Sequence, residues 1–196
     1  MSVSKFMVPQ WLEDNLWFEE DTELDTDNWS RSSYSEPQMK ILQNYLNLVL
    51  VAYPEQKHGC IARYESTLIS PAERGTFSLH YYRDNHPKHG MPVLFTVKVD
   101  NKKYLMYCAT NGTVQFREED APKYIQGTTC EFIFYKKQFQ PGVSNAFKFE
   151  SSLEEGLYLA FEKYGNFSKL ILKKVVMDEI DETIKIKEGE AIVKIQ

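Results

Sequence analysis

The sequence predicts an all-β fold closed into a barrel, and three observations carry that expectation. Short segments rich in Val, Ile, Phe and Tyr recur at roughly 12-residue intervals from about residue 39 onward. Gly-, Pro- and Asn-containing turns separate them, and only 117–130 and 151–156 leave room for a helical turn. Eleven or twelve such strands across 39–196 fall into three groups of about four, a period near 50 residues. Three similar units closing one barrel make a β-trefoil.

The elements follow from the chain in order. Residues 1–27 hold Trp11 and Trp17 and a short amphipathic stretch, Trp11–Phe18, too short to fold alone. Residues 28–38 are polar, Ser-rich and carry Pro37, which reads as a linker. Ile41–Tyr53 is apolar up to Pro54. Thr76–Arg83 and Met91–Asp100 read as strands, the latter placing Val93, Phe95, Val97 and Val99 on one face by the period-two rule. Lys103–Ala109, Thr113–Arg117, Cys130–Lys136, Phe147–Glu150, Leu157–Glu162, Lys169–Lys173 and a pair within Thr183–Gln196 complete the set. Turns at Asn85-His-Pro87, Asn111-Gly112, Pro141-Gly142, Tyr164-Gly165-Asn166 and Lys187-Glu-Gly189 divide them.

Charge divides the chain unevenly. Residues 1–27 carry eight acids and Lys5, a net −7, whereas 28–196 sum to +2. A nucleic-acid groove needs a strongly positive domain, so nucleic acid is not an expected partner. No run approaches 18 apolar residues, and membrane insertion is not expected either. Met1–Phe18 is broken by Pro9, Gln10, Glu13, Asp14 and Asn15, unlike a secretory leader. Cys60, Cys108 and Cys130 form neither a CxxC pair nor a ligand set with histidine, so free thiols and no metal or other cofactor are expected.

Candidate chemistry is sparse. His58, His80, His86 and His89 lie in or beside turns with no nucleophile elbow nearby. Glu118-Glu119-Asp120 and Glu154-Glu155 read as solvated acids, so no catalytic residue is expected. The basic doublets Lys102-Lys103, Lys136-Lys137 and Lys173-Lys174 serve either solubility and edge protection or steering toward an acidic partner. The most informative segment is Leu24-Asp-Thr-Asp27, at the step in charge. A bond after Asp in an extended segment, with an apolar residue three positions earlier, suits an inflammatory caspase cutting between Asp27 and Asn28. Asp21 offers a weaker alternative.

Phe149-Glu-Ser-Ser-Leu-Glu-Glu-Gly-Leu-Tyr-Leu-Ala-Phe161 resembles the interleukin-1 family signature, with Glu155 and Phe161 departing from it. Tyr82-Arg-Asp-Asn-His-Pro, Gly90-Met91 and Phe132-Ile-Phe-Tyr135 extend the likeness, which covers about 39–187. The resemblance implies a β-trefoil cytokine domain (39–196) after a 1–27 propeptide and a 28–38 segment opening the mature chain. It also implies a cytoplasmic leaderless precursor, activated by an inflammatory caspase and then secreted. The mature form would bind a receptor alpha chain and an accessory chain, leading to Toll/interleukin-1-type signalling and interferon-gamma induction. A soluble cytokine-binding protein is a further implied partner. By motif, Gln43 and Asn47 stand where the family uses charged residues toward the alpha chain. Met91 follows the turn with Lys88 or His89 as its basic neighbour, Lys136 and Lys137 take a contact pair, and Asn166 stands where an acid is usual. Arg117 and Glu131 keep the charges expected toward the accessory chain. Rival readings are a heparin- or sugar-binding trefoil, or an all-β enzyme; the first lacks a dense cationic patch or repeated Trp elements, the second a catalytic constellation.

Overall fold

The computed structural model describes residues 7–12, 15–20, 28–31, 36–56, 62–65, 73–84, 90–165, 167–176 and 180–191. The strands are β1 (Met7–Leu12), β2 (Asn15–Glu20), β3 (Asn28–Ser30), β4 (Gln38–Gln43), β5 (Val49–Ala52), β6 (Ala62–Glu65), β7 (Thr76–Tyr81), β8 (Arg83–Asp84) and β9 (Met91–Val99). There follow β10 (Lys102–Cys108), β11 (Val114–Glu118), β12 (Tyr124–Gln126), β13 (Phe134–Gln138), β14 (Ala146–Ser151), β15 (Leu157–Tyr164), β16 (Phe167–Lys174) and β17 (Ile186–Glu190). The one helical piece among the described residues is a 3-10 turn, Glu182–Ile184.

Six strands close on themselves by antiparallel pairing in the order β4, β7, β9, β13, β14, β17 and back to β4. Closure leaves the barrel no free edge. The hairpins β5–β6, β10–β11 and β15–β16 each interrupt one unit. The units open at Gln38, Met91 and Ala146, so the threefold repeat anticipated from strand spacing is present. This is the β-trefoil arrangement.

The barrel interior is packed by Leu42, Phe77, Leu79, Val93, Phe95, Val97, Phe134, Phe149 and Ile186 among others. Phe95 lies edge-on to Phe134 and Phe149, with ring centroids 5.8 and 5.1 Å away. Val93, Phe95, Val97 and Val99 do share the core face, yet Leu94 is also 0% exposed. Its burial has a tertiary cause. A separate sheet of β12, β3 and β8 lies outside the barrel. Trp29 of β3, Tyr82, Leu94, Leu105, Ala121, Ile125, Cys130 and Ile133 form a second core.

The linker expected at 28–38 is therefore corrected at its start: Asn28–Ser30 is a strand whose Trp29 is buried. Burial of the large aromatic ring and pairing with β12 on one side and β8 on the other hold these residues in place. Two further strands, β6 and β12, carry too few apolar residues to stand out in the sequence, and the final pair expected within 183–196 is one strand, β17, among the described residues. β1 and β2 pair only with each other in the sheet topology, Trp11 opposite Leu16 and Pro9 opposite Phe18.

His80 lies on the outer face of β7, buried between the two cores. Its Nε2 is 2.9 Å from Thr96 Oγ1 and its Nδ1 is 2.9 Å from the Arg31 guanidinium. The guanidinium can only donate, so Nδ1 is the acceptor and Nε2 carries the proton. Burial, then the Arg31 charge, pushes its pKa from 6.5 down to about 4; Asp120 opposes this and Lys103 adds to it. Because the folded value lies below the unfolded one, this stability is complete above pH 6.5 and is lost as pH falls toward 4. The loss reaches up to about 3 kcal/mol. Urea denaturation of wild type and His80→Gln across that range is expected to show a steeper decline in wild type, the carboxylates held below their ordinary range contributing the part common to both.

Candidate functional site

Where β4, β9 and β14 begin and β7 and β13 end, the surface forms a shallow cavity of about 380 Å³. Tyr81, Met91, Lys136, Lys137, Gln138 and Phe147 line it. Met91 faces Lys136 across the β9–β13 ladder and is 54% exposed. An unbranched thioether standing clear of the barrel is suited to contact with another protein. The preceding Gly90 holds φ at +138°, and a Cβ there would meet Lys136 O at 2.7 Å. Gly90→Ala is accordingly expected to cost about 1–3 kcal/mol and to displace Met91. Thermal denaturation reads the first effect, and partner affinity in excess of the unfolded fraction reads the second.

The two lysines are not free charges. Lys136 Nζ lies 2.6 Å from Glu188 Oε1, donates to Tyr81 Oη at 3.0 Å and sits 4.0 Å from the Phe147 ring centroid. Lys137 pairs with Glu150, whose carboxylate is buried and also accepts the Gly156 N–H at 2.6 Å. Burial opposes ionisation of Glu150, but the Lys137 and Gly156 hydrogen bonds outweigh it and hold the carboxyl below its ordinary range. Tyr158 beside it is pushed up to about 12, by burial first and then by the Glu150 charge. Both lysine side chains are largely covered, at 14% and 21% exposure. Their charges are spent internally, and what they present outward is mainly their aliphatic stems.

The other doublets are also paired but in the open, their lysine side chains 41–55% exposed. Lys102 reaches Glu118 at 2.9 Å, Lys103 reaches Asp120 at 2.6 Å, Lys173 reaches Asp181 at 2.6 Å and Lys174 reaches Glu154 at 2.5 Å. Glu118, Asp120 and Glu154, expected as solvated acids, remain more than half exposed while partnering these doublets, and Glu119 pairs with Arg117 instead.

Gln43 ends β4 and Asn47 lies in the turn after it. Asn44 builds that turn: fully buried, its Oδ1 accepts the N–H groups of Leu46 and Leu48 at 3.0 and 2.9 Å. Asn47 takes φ +61°, which asparagine tolerates. It accepts Lys187 Nζ at its Oδ1, 2.6 Å away, and Gln43 Nε2 at its backbone O, 3.4 Å away. Strand stagger in the closed barrel pairs Gln43 with Lys187, while Ala146, at the start of β14, pairs with the same residue. Lys187 therefore serves the Asn47 turn and Glu188, next in sequence, serves Lys136. These two residues, with Asn44, Tyr81 and Phe147, escape sequence reasoning, because only strand pairing across the barrel brings them to the site.

Arg117 and Glu131 meet directly, NH1 to Oε1 at 3.0 Å, and Arg117 Nε lies 2.6 Å from Glu119 Oε2. Its guanidinium lies over Tyr107 and Phe132 at 5.2 and 5.8 Å from their centroids. A wider groove of about 620 Å³ runs beside them, with Tyr124, Ile125, Phe132 and Leu153 in its wall. Asp21, Leu24, Asp27, Lys88, His89, Asn166, His58, His86 and Cys60 lie outside the described residues, as does the Asn28 side chain. Cys108 and Cys130 are buried free thiols, each pushed up to about 11 by burial.

Among the described residues the surface of this closed trefoil is made of mutually paired charges and shallow grooves. The family model Interleukin-1 / 18 matches residues 70–184. Interleukin-18 of Gallus gallus is 39% identical over 153 residues, covering 74% of this chain and 76% of that protein. Interleukin-18 of Homo sapiens is 30% identical over 171 residues, covering 86% and 85%. Among solved structures, chicken interleukin 1 beta aligns with TM-score 0.55 and 17% identity over 80% of this chain and 97% of that one. A chicken interleukin-1 hydrophobic-cavity mutant reaches TM-score 0.60 at 18% identity, over 82% and 99%. The chain belongs to the interleukin-1/18 family of cytokines. It is a signalling protein of the interleukin-18 type and not an enzyme.

Proposed function

We propose that the chain is the precursor of a pro-inflammatory cytokine, held in the cytoplasm, cut after Asp27 by an inflammatory caspase and then secreted. The mature form binds a receptor alpha chain through Gln43, Asn47, Met91 and the covered Lys136 and Lys137, with Lys88, His89 and Asn166 as flanking contacts. It recruits an accessory chain through Arg117 and Glu131, and the assembled receptors signal in the Toll/interleukin-1 manner toward interferon-gamma. A soluble binding protein competes for the same face. The observation that carries this reading is Met91, standing exposed on a rigid barrel rim among residues whose charges are already matched. Such a surface offers shape and apolar contact, which set residence time more than encounter rate.

Digestion with an inflammatory caspase, mass spectrometry of the products and receptor binding by both forms test the proposal. A product starting at Asn28 that alone binds the receptor ectodomains is expected. Equal binding by the uncut chain, or cleavage only at Asp21, contradicts it.

A further inference from the structure

Asn28 follows immediately on the proposed cleavage position, and the residues from Asn28 to Arg31 are built into the folded body. Trp29 is 2% exposed within the second core. Its strand is paired on both sides, with Trp29 opposite Ile125 of β12 and Asp84 of β8. Past the strand, the Arg31 backbone N–H donates to Lys123 O at 2.9 Å and its guanidinium donates to His80 Nδ1 at 2.9 Å. Four consecutive residues are thus anchored by a buried ring, two ladders and two hydrogen bonds.

A protease that recognises its substrate as an added strand needs backbone on both sides of the scissile bond. Residues 28–30 cannot lie in such a cleft while they pair with β12 and β8. We infer that Asn28–Arg31 is a latch, and that the Asp27–Asn28 bond is hydrolysed only from a locally opened state in which β3 has left its sheet. This rests on the proposed processing at Asp27. The hydrolysis consumes one water: its oxygen bonds the Asp27 carbonyl carbon, the C–N bond breaks, and the nitrogen takes a proton to leave as the Asn28 amine. Where opening and closing are fast against cleavage, the rate follows the population of the open form. A three-residue strand in a small sheet outside the barrel opens far more readily than the barrel does, so the latch sets a rate without blocking the reaction.

The test compares full-length wild type, Trp29→Ala, Arg31→Ala and Ile184→Ala under an inflammatory caspase, reading kcat/KM and the N-terminus of the product. Ile184 is buried in a third cluster with Phe139, Ala146 and Ala160, away from β3. Trp29→Ala is expected to raise kcat/KM by about tenfold or more and Arg31→Ala by about threefold, with Ile184→Ala unchanged. Hydrogen exchange at the Trp29 amide should accelerate in the same order. Should Trp29→Ala fail to fold, Arg31→Ala decides alone. Equal rates in every variant overturn the latch and leave processing at Asp27 intact. If no variant is cut at Asp27, the processing reading falls and the latch falls with it.

Discussion

Replacing Trp29 with alanine is expected to remove about 3–5 kcal/mol of folding stability, the range for deleting a buried aromatic from a core. The ring belongs to one of three separate apolar clusters, and its neighbours come from the β7–β8 connection through β13. Those neighbours are held by the barrel on one side and by β3 on the other, so they cannot collapse into the vacated space. A loss of that size is a large share of the net stability of a domain of this length, about 5–15 kcal/mol. Urea denaturation with an unchanged m-value measures it. Far-ultraviolet signal should be retained at zero denaturant, since the barrel keeps its own core of Phe77, Phe95, Phe134 and Phe149. A cost under about 1 kcal/mol would show that β3 is only loosely attached to the fold. All three tryptophans precede residue 30. A chain starting at Asn28 therefore has Trp29 as its single indole, and its buried emission reports latch and second core directly.

Charge reversal at Lys137 is expected to act on folding before it acts on binding. Glu150 is 5% exposed and its carboxylate is satisfied by Lys137, the Gly156 amide and Tyr158. Lys137→Glu replaces an attractive pair by two like charges in a dry site, costing about 3–5 kcal/mol. Lys137→Met, which keeps the stem but strands one carboxylate, should cost less and raise the Glu150 pKa. The swap Lys137→Glu with Glu150→Lys should recover part of the loss, and a double-mutant cycle in urea separates the coupling from the single effects. A stable Lys137→Glu whose receptor association alone is slowed would instead restore the steering role that the sequence suggested. Lys136 with Glu188 follows the same logic, its side chain 14% exposed against 7% for the acid.

Much of the architecture is legible in the chain because β-structure writes itself locally. Alternation along Val93–Val99 marks a core face, and Asn111-Gly112 and Pro141-Gly142 mark turns, since these are properties of neighbouring residues. The signature between Phe149 and Phe161 is likewise continuous, and it falls on β14, β15 and the turn that joins them. β6, held between β5 and β16, and β12, at the edge of its sheet, are not legible, because so short a strand gains its hydrogen bonds from partners elsewhere in the chain and needs little apolar content of its own. Trp29 falls in the same class: a polar, Ser-rich surrounding reads as linker until a pocket made of Tyr82, Leu94 and Ile133 is there to receive the ring.

The site divides along the same line. Met91 after a glycine, two lysines in a row and an acidic stretch running up to Asp27 were determined by the sequence itself, as were the strand spacing and the three-unit period. Which charges remain free was decided by the tertiary structure alone. Lys136 finds Glu188 and Lys137 finds Glu150 only when the barrel closes, and closure sets strand stagger through pairings separated by dozens of residues. A sequence lists the ions; whether each faces solvent or a partner depends on distances and burial that exist only after the ends of the sheet have met.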